Sequence, residues 1–247
     1  MRLTVLGCAG TFPGPLSPCS GYLLEHDGFR LVVDLGNGSL GALARHVDIL
    51  TVDAVLISHL HVDHYVDLCS YYVARRYDPH GAPPPVPVHG PTGTAEQVAR
   101  AYGGTRSGDL AAAFAFADLR PEFELGPFRV VAARVAHPVE AYGLRLAADG
   151  QVLAYSGDTG PTDALVDLAR DCDLLLAEAS FLEGAANPPD LHLTGRDAGE
   201  IATRADAGRV VLTHVPPWHD PQRALEDCAP AYGGEITLAE PGLAISL

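Results

Sequence analysis

Lysine is absent from this chain of 247 residues. All 16 basic side chains are arginine, set against 31 acidic ones, for a formal net charge of −15. Apart from the pair Arg75-Arg76 the arginines are dispersed. Non-specific affinity for nucleic acid comes largely from clustered Lys and Arg, so a long polyanion meets net repulsion and no long nucleic acid is expected as a partner. A small anion at a local cationic site remains compatible with the same balance. No apolar run approaches the roughly 18 residues that a membrane span needs. Residues 1–7 lead into a strand without the apolar core of a secretion signal, so neither export nor membrane insertion is expected. Cysteine is scarce and unpatterned. Cys8, Cys19, Cys69, Cys172 and Cys228 are an odd number, widely scattered, with no Cys-x-x-Cys pair for zinc or thiol exchange, which favours a reducing cytoplasm. Linker sequence is equally scarce. Residues 78–87, rich in proline, form one short stretch that reads as a stiff surface loop, and residues 1–247 are expected to form a single domain.

Against these absences stand 11 histidines. Three of them fall in His59-Leu60-His61-Val62-Asp63-His64, directly after the apolar run Asp53-Ala54-Val55-Leu56-Ile57-Ser58. Three imidazoles and a carboxylate at the exit of a buried strand put borderline ligands on a short turn where they can converge, a pattern that suits two metal ions. Two ions need about four ligands each, so further His or Asp is expected at other strand ends. His137 follows the run 128–136, Asp158 sits in Ser156-Gly157-Asp158-Thr159-Gly160, and His214 ends Val210-Val211-Leu212-Thr213-His214. Each alone reads as a packed His or a turn-stabilising Asp. Together they share one geometry, an apolar strand with a ligand at its exit.

The order of elements repeats. Residues 3–6 read as a strand, followed by a Gly and Pro loop over 7–15. Strands 22–25 and 29–33 flank Asp27-Gly28, and strands 142–146 and 152–155 flank a turn with Asp149-Gly150, both strong hairpin signals. Helical spacing covers 40–46, 66–75, 94–102, 162–170, 195–204 and 221–229, and short apolar runs at 55–58, 86–89, 173–178 and 209–213 read as strands buried on both faces. Hairpins first, then alternating strand and helix, occur in each half. This predicts an α/β fold of two sheets packed face to face with helices outside.

The set His59-x-His61-x-Asp63-His64, His137, Asp158 and His214 resembles the metallo-β-lactamase superfamily over nearly the whole chain. Within it, Gly7-Cys8-Ala9-Gly10-Thr11, Glu178-Ala179-Ser180-Phe181, His192-Leu193-Thr194 and Leu212-Thr213-His214 are similar to the ribonuclease Z and phosphodiesterase branch. The resemblance implies a four-layer αββα sandwich, two mixed sheets flanked by helices, with the site at one edge. It also implies that His59, His61 and His137 hold one divalent ion, that Asp63, His64 and His214 hold a second, and that Asp158 bridges them. Zinc is the expected metal, with manganese as the alternative. The catalytic residues it implies are Asp63 and His192, with Glu178 orienting His192. A hydroxide shared by the ions would be the nucleophile.

The segments Ala136-His137-Pro138-Val139-Glu140-Ala141-Tyr142-Gly143, Tyr155-Ser156-Gly157-Asp158-Thr159-Gly160, Pro188-Pro189-Asp190-Leu191-His192-Leu193 and Leu212-Thr213-His214-Val215-Pro216-Pro217-Trp218 look closest to bacterial cyclic-nucleotide phosphodiesterases. The resemblance therefore implies hydrolysis of 3',5'-cyclic AMP to 5'-AMP, a small phosphodiester substrate. Trp218, the only Trp, is a candidate for stacking on the base or for packing. Two features depart from ribonuclease Z. The step from His137 to Asp158 holds only a hairpin where that enzyme inserts a long basic arm for transfer RNA, and Tyr65-Val66 stands where the branch usually has Gly-Leu. A ribonuclease Z-like nuclease stays open as an alternative, as do hydrolases of thioesters, lactones or β-lactams on the same scaffold. Di-iron oxidoreductases of the superfamily carry Glu where this chain has His61 and are joined to a flavin module, so redox chemistry is disfavoured. A homodimer is left open.

Overall fold

Asp27-Gly28 and Asp149-Gly150 fold as the alternation around them requires. Both residues of each turn have positive φ, 47° and 80° in the first and 48° and 77° in the second, the backbone of a two-residue hairpin whose twist matches its strands. Each hairpin sits inside a sheet. The computed structural model describes residues 1–104 and 106–247, and among them are two sheets of seven strands each.

The first sheet holds β1 (Arg2–Gly7), β2 (Gly21–His26), β3 (Phe29–Leu35), β4 (Ala54–Leu56), β5 (Val86–Gly90), β6 (Phe114–Asp118) and β14 (Ala244–Ser246), in the order 14-1-2-3-4-5-6. The second holds β7 (Glu122–Leu125), β8 (Phe128–Arg134), β9 (Tyr142–Ala148), β10 (Gln151–Tyr155), β11 (Leu174–Glu178), β12 (Arg209–Thr213) and β13 (Glu235–Leu238), in the order 13-12-11-10-9-8-7. In both, antiparallel pairs give way to parallel ones, at β3–β4 and at β10–β11. Helices α1 (Ser39–Leu43), α2 (Val62–Tyr65), α3 (Leu68–Arg76) and α4 (Thr94–Ala101) belong to the first half, and α5 (Asp163–Ala169), α6 (Gly195–Ala205) and α7 (Pro221–Cys228) to the second.

Strand alternation assigns each apolar side chain to a layer. Tyr22, Leu24, Leu31 and Val33 point inward and pack with Val130, Leu144, Leu146 and Tyr155 of the other sheet. Their neighbours Leu23 and Val32 point outward and pack with Leu68, Tyr71 and Val98. On the opposite outer face Ala154, Leu175 and Val210 meet Leu165, Ile201 and Cys228. Both sheets are thus buried on two faces, which explains why their parallel strands read as unbroken apolar runs. The architecture is the expected αββα sandwich.

Two local expectations need correction. The helix expected over 66–75 is α3, which begins two residues later, at Leu68, because the Asp67 amide donates to the Leu35 carbonyl at 3.1 Å and its carboxylate accepts from Leu40 N at 2.9 Å. Strands β6, β7, β13 and β14 were not expected. They are short and half-exposed, and β14 returns from the end of the chain to pair with β1.

Gly36, one residue past β3, packs so closely against α2 that a Cβ there would lie 1.9 Å from the Asp63 carbonyl oxygen. Gly41, exposed within α1, has open space around the same position. Gly36→Ala is expected to destabilise the fold by about 1–3 kcal/mol or more through overpacking, whereas Gly41→Ala should be neutral or stabilising by up to about 1 kcal/mol. Urea unfolding midpoints of the two variants check the pair, and equal midpoints would refute the role given to Gly36.

Candidate metal centre

The exits of β4, β8, β10 and β12 converge at one edge of the sandwich, and each carries one of the residues singled out above. His59 and the start of α2 follow β4, His137 follows β8, Asp158 follows β10 and His214 follows β12. One group of potential ligand atoms comprises His59, His61, His137 and Asp158, and a second comprises Asp63, His64 and His214. Within the first, His61 Nδ1 lies 3.2 Å from His59 Nε2 and 3.1 Å from His137 Nε2. Asp158 stands between the groups. Its Oδ2 is 3.5 Å from His59 Nε2 and 3.2 Å from His214 Nε2, and its Oδ1 is 3.3 Å from His64 Nε2. For nitrogen ligands about 2.0–2.1 Å from a tetrahedral zinc, neighbouring donors would be about 3.4 Å apart, close to these separations.

The back nitrogens of four of the imidazoles are held by the protein. His64 Nδ1 bonds Asp34 Oδ2 at 2.7 Å, His214 Nδ1 bonds Ser20 Oγ at 2.8 Å, His137 Nδ1 bonds the Leu191 carbonyl at 2.9 Å, and His59 Nδ1 meets Ser58 Oγ at 3.1 Å. Such bonds fix which ring nitrogen faces the centre. Asp63 Oδ2 accepts from the Thr11 amide at 2.8 Å. Thr11 and His214 both adopt left-handed φ, 68° and 55°, an unusual conformation for side-chain-bearing residues and especially for a β-branched one.

Asp34 was not anticipated. It is fully buried and accepts from Ser58 N, Ser58 Oγ and Tyr155 OH as well as facing His64. The signal existed, since Asp34 also terminates an apolar strand run, the same position that marks the ligands. Ser20 and the Thr11 amide carried no comparable signal, because their roles depend on a loop path that residue types do not specify.

The donor set fits divalent metal. His64 Nε2 and Asp158 Oδ1 are buried without a hydrogen-bond partner, an arrangement that normally costs free energy. The two atoms face each other, and with the imidazole neutral both present lone pairs, so a cation satisfies both. Electrostatics agree. The His64 pKa is raised well above its ordinary value: burial opposes the charge, but Asp158 and Asp34 outweigh it. Asp158 is held well below the carboxylate range, because His214, His64 and His59 outweigh its own desolvation. His59 is lowered by burial and by the neighbouring His64. The centre thus favours positive charge at the midpoint of its donors and a neutral ring at its buried edge.

His192 sits over this cluster, its ring 5.6 Å from that of His137 and 5.9 Å from that of His214. Its Nδ1 lies 3.0 and 3.2 Å from the two oxygens of Glu178. Glu178 is fully buried and also accepts from Thr159 N at 2.7 Å. Burial disfavours the His192 cation, but Glu178 and then Asp158 hold its pKa up at about 9. Trp218 is not among these groups. It is 61% exposed and its ring touches that of Phe12 at 5.1 Å.

Asp34→Asn keeps the shape but removes the charge that orients His64. It is expected to weaken divalent-metal binding by about 10-fold to 100-fold, measured as metal retained after dialysis against graded chelator. Unaltered retention would make Asp34 a packing residue only.

Residues 30–215 match the family described as the Beta-lactamase superfamily domain. An uncharacterized protein of Mycobacterium tuberculosis (strain ATCC 25618 / H37Rv) is 43% identical over 243 residues, covering 96% of this chain and 88% of that one. The probable metallo-hydrolase YhfI of Bacillus subtilis (strain 168) is 28% identical over 246 residues, 98% of each chain. Its crystal structure matches with a TM-score of 0.89 at 27% identity over 99% of both chains. Ribonuclease Z of Haloferax volcanii is 25% identical over 299 residues, covering 98% of this chain and 93% of the enzyme. The domain match runs from β3 past the strand that delivers His214, and on this ground the chain belongs to the beta-lactamase superfamily, among its metal-dependent hydrolases.

Proposed function

We propose that this hydrolase is a phosphodiesterase that converts 3',5'-cyclic AMP to 5'-AMP. The observation that carries the reading is the His192–Glu178 pair set over the candidate ligands, a proton donor oriented by a fully buried carboxylate. Two divalent ions fit the groups His59, His61, His137 with Asp158 and Asp63, His64, His214 with Asp158; zinc suits the His and Asp donors, and manganese is the alternative. When bound, such ions supply Lewis acidity and lower the pKa of a coordinated water to about 7.

The protein's own residues do the rest. Asp63, its Oδ2 fixed by the Thr11 amide, orients the attacking water. As the new O–P bond forms, the bond from phosphorus to the 3' oxygen breaks, and His192 donates its Nε2 proton to that leaving oxygen. Glu178 keeps Nδ1 occupied, so the ring presents Nε2 to the substrate, and its charge stabilises the protonated ring between turnovers. The proton lost by the water restores the pair.

A net charge of −15 without lysine favours a small diester over a long nucleic acid. All five cysteines stand free, which supports a reducing compartment such as the cytoplasm. Among the described residues no helix is long and apolar enough to cross a membrane.

His192→Ala is expected to keep its metal and lose about 10²-fold to 10⁴-fold in turnover of cyclic AMP, the range of a general acid. Metal analysis and kinetics on the same preparation separate chemistry from assembly, and parallel loss of metal would make His192 structural. A substrate panel of cyclic AMP, cyclic GMP, a transfer-RNA precursor, a thioester and a lactone, with and without chelator, tests the class. Chelator-sensitive cleavage restricted to the thioester or lactone would overturn the phosphodiesterase reading, and cleavage of the RNA alone would replace it with a nuclease.

A further inference from the structure

Phe12 and Trp218 are large aromatic side chains left open to solvent, 41% and 61% exposed. They come from loops far apart in sequence, yet their ring centroids lie 5.1 Å apart with planes inclined at 43°. Both loops are tied to the candidate metal centre. Phe12 follows Thr11, whose amide binds Asp63 Oδ2, and Trp218 lies four residues past His214. Both are also rigid. The Phe12 amide closes a turn on the Gly10 carbonyl at 2.7 Å, Gly10 N donates to Val215 O at 3.2 Å, and His219 N closes a turn on Pro216 O at 2.9 Å. His219 Nδ1 anchors the second loop to the Ser180 carbonyl at 3.1 Å. Gly14 and Pro217 press the loops together, so that a Cβ on Gly14 would lie 3.1 Å from Pro217 Cγ.

Exposed apolar surface held this stiffly beside a polar centre marks a binding surface. The ring geometry limits what it binds and how. Two rings 5.1 Å apart are already in contact, and a planar group slipped between them would need about twice the ordinary stacking distance. The pair is therefore one platform with a free outer face. Trp218, the more exposed ring, offers that face, and Phe12 supports it from behind.

Resting on the phosphodiesterase reading above, we infer that Phe12 and Trp218 together form a one-sided stacking platform for the nucleobase of a mononucleotide whose phosphate lies at the metal centre. Trp218 touches the base. Phe12 is a positioning residue that holds the indole in place. The platform recognises the base by its face, so a substrate without a base loses this part of its binding.

Because Trp218 is the sole Trp, its fluorescence reports directly on a stacked base. Metal-loaded protein titrated with 5'-AMP should show quenching that ribose 5-phosphate at the same concentrations does not produce. Phe12→Ala should weaken the AMP titration about fivefold or more, and Phe12→Leu should recover part of the loss. In kinetics, Trp218→Ala should raise KM for cyclic AMP by roughly 5-fold to 100-fold, the range expected for one stacked base, and Phe12→Ala should raise it less. Both effects should fall on KM more than kcat, and neither variant should change the kinetics on base-free ribose 3',5'-cyclic phosphate to the same degree.

Absence of base-dependent quenching would overturn the platform. So would equal losses on the nucleotide and the base-free analogue, which would mean the rings only shape the loops. A change of oligomeric state in size exclusion with unaltered AMP binding would reassign the patch to contact between two copies of the chain. Base-dependent quenching without any hydrolysis of cyclic AMP would leave the platform standing and defeat the phosphodiesterase reading alone.

Discussion

Four carboxylates, Asp34, Asp63, Asp158 and Glu178, lie buried around one edge of the sandwich, and among the described residues their ion-pair partners are all histidines. Burying an anion away from water costs several kcal/mol unless a cation or a full set of hydrogen bonds offsets it. Asp34 and Glu178 are satisfied by donors, from Ser58 and Tyr155 in one case and Thr159, Ser180 and His192 in the other. Asp158 is not, since its Oδ1 has no donor and faces an equally unpartnered His64 Nε2. The fold thus assembles a place that favours positive charge. Protonating His64 supplies one such charge, and divalent metal supplies more while leaving the rings neutral.

Holding those donors together requires backbone that does not yield, and the sandwich supplies it through strand ends rather than long loops. Ser58, Asp34, Glu178 and Thr213 lie at or within two residues of the ends of central strands buried on both faces. The donors therefore inherit the rigidity of the core. The loops that complete the centre are equally constrained. Gly10 has no room for a side chain, because a Cβ there would lie 2.5 Å from the His214 carbonyl oxygen, and this close approach lets the Thr11 amide reach Asp63. A tightly packed edge of this kind explains why residues without any chemistry of their own, such as Gly36, govern the position of Asp63.

The residues that cluster at this edge could be read from the sequence because a single rule describes them, an apolar run ending in His or Asp. His59, His137, Asp158 and His214 all obey it, and the two Asp-Gly hairpins gave the registers that bring those ends to one edge. The outer layers were legible for the same reason, since the helix period is strong where one face is buried. The residues that orient the ligands were harder to find. Ser20 and Leu191 act through an ordinary hydroxyl and a backbone carbonyl, whose use depends on the folded path. Strand β7 alternates but is only four residues long, β13 alternates weakly, and β14 gains its meaning from pairing with β1, at the other end of the chain. Phe12 is a further case. In sequence it is one aromatic in a Gly and Pro loop, and only its contact with Trp218 marks it.

The two kinds of surface at the edge bear differently on what can bind there. At an ionic strength near 0.15 M, charges act over about 8 Å, so the attraction of a cation-filled centre for phosphate fades within roughly the length of one nucleotide. Beyond it a ligand meets a protein with a net charge of −15, and each added phosphate outside the centre adds repulsion. Affinity for anything larger than the reacting group must then come from surface that carries no charge. Phe12 and Trp218 offer that surface next to the centre, and Val62, the first residue of α2 beside His61, and Val139, two residues past His137, add more exposed apolar area. A monoanionic phosphodiester joined to one flat aromatic group uses both features at once, whereas a polyanion uses only the first and an uncharged thioester or lactone without a flat ring uses neither. The physical character of the rim and that of the centre thus favour the same substrate class.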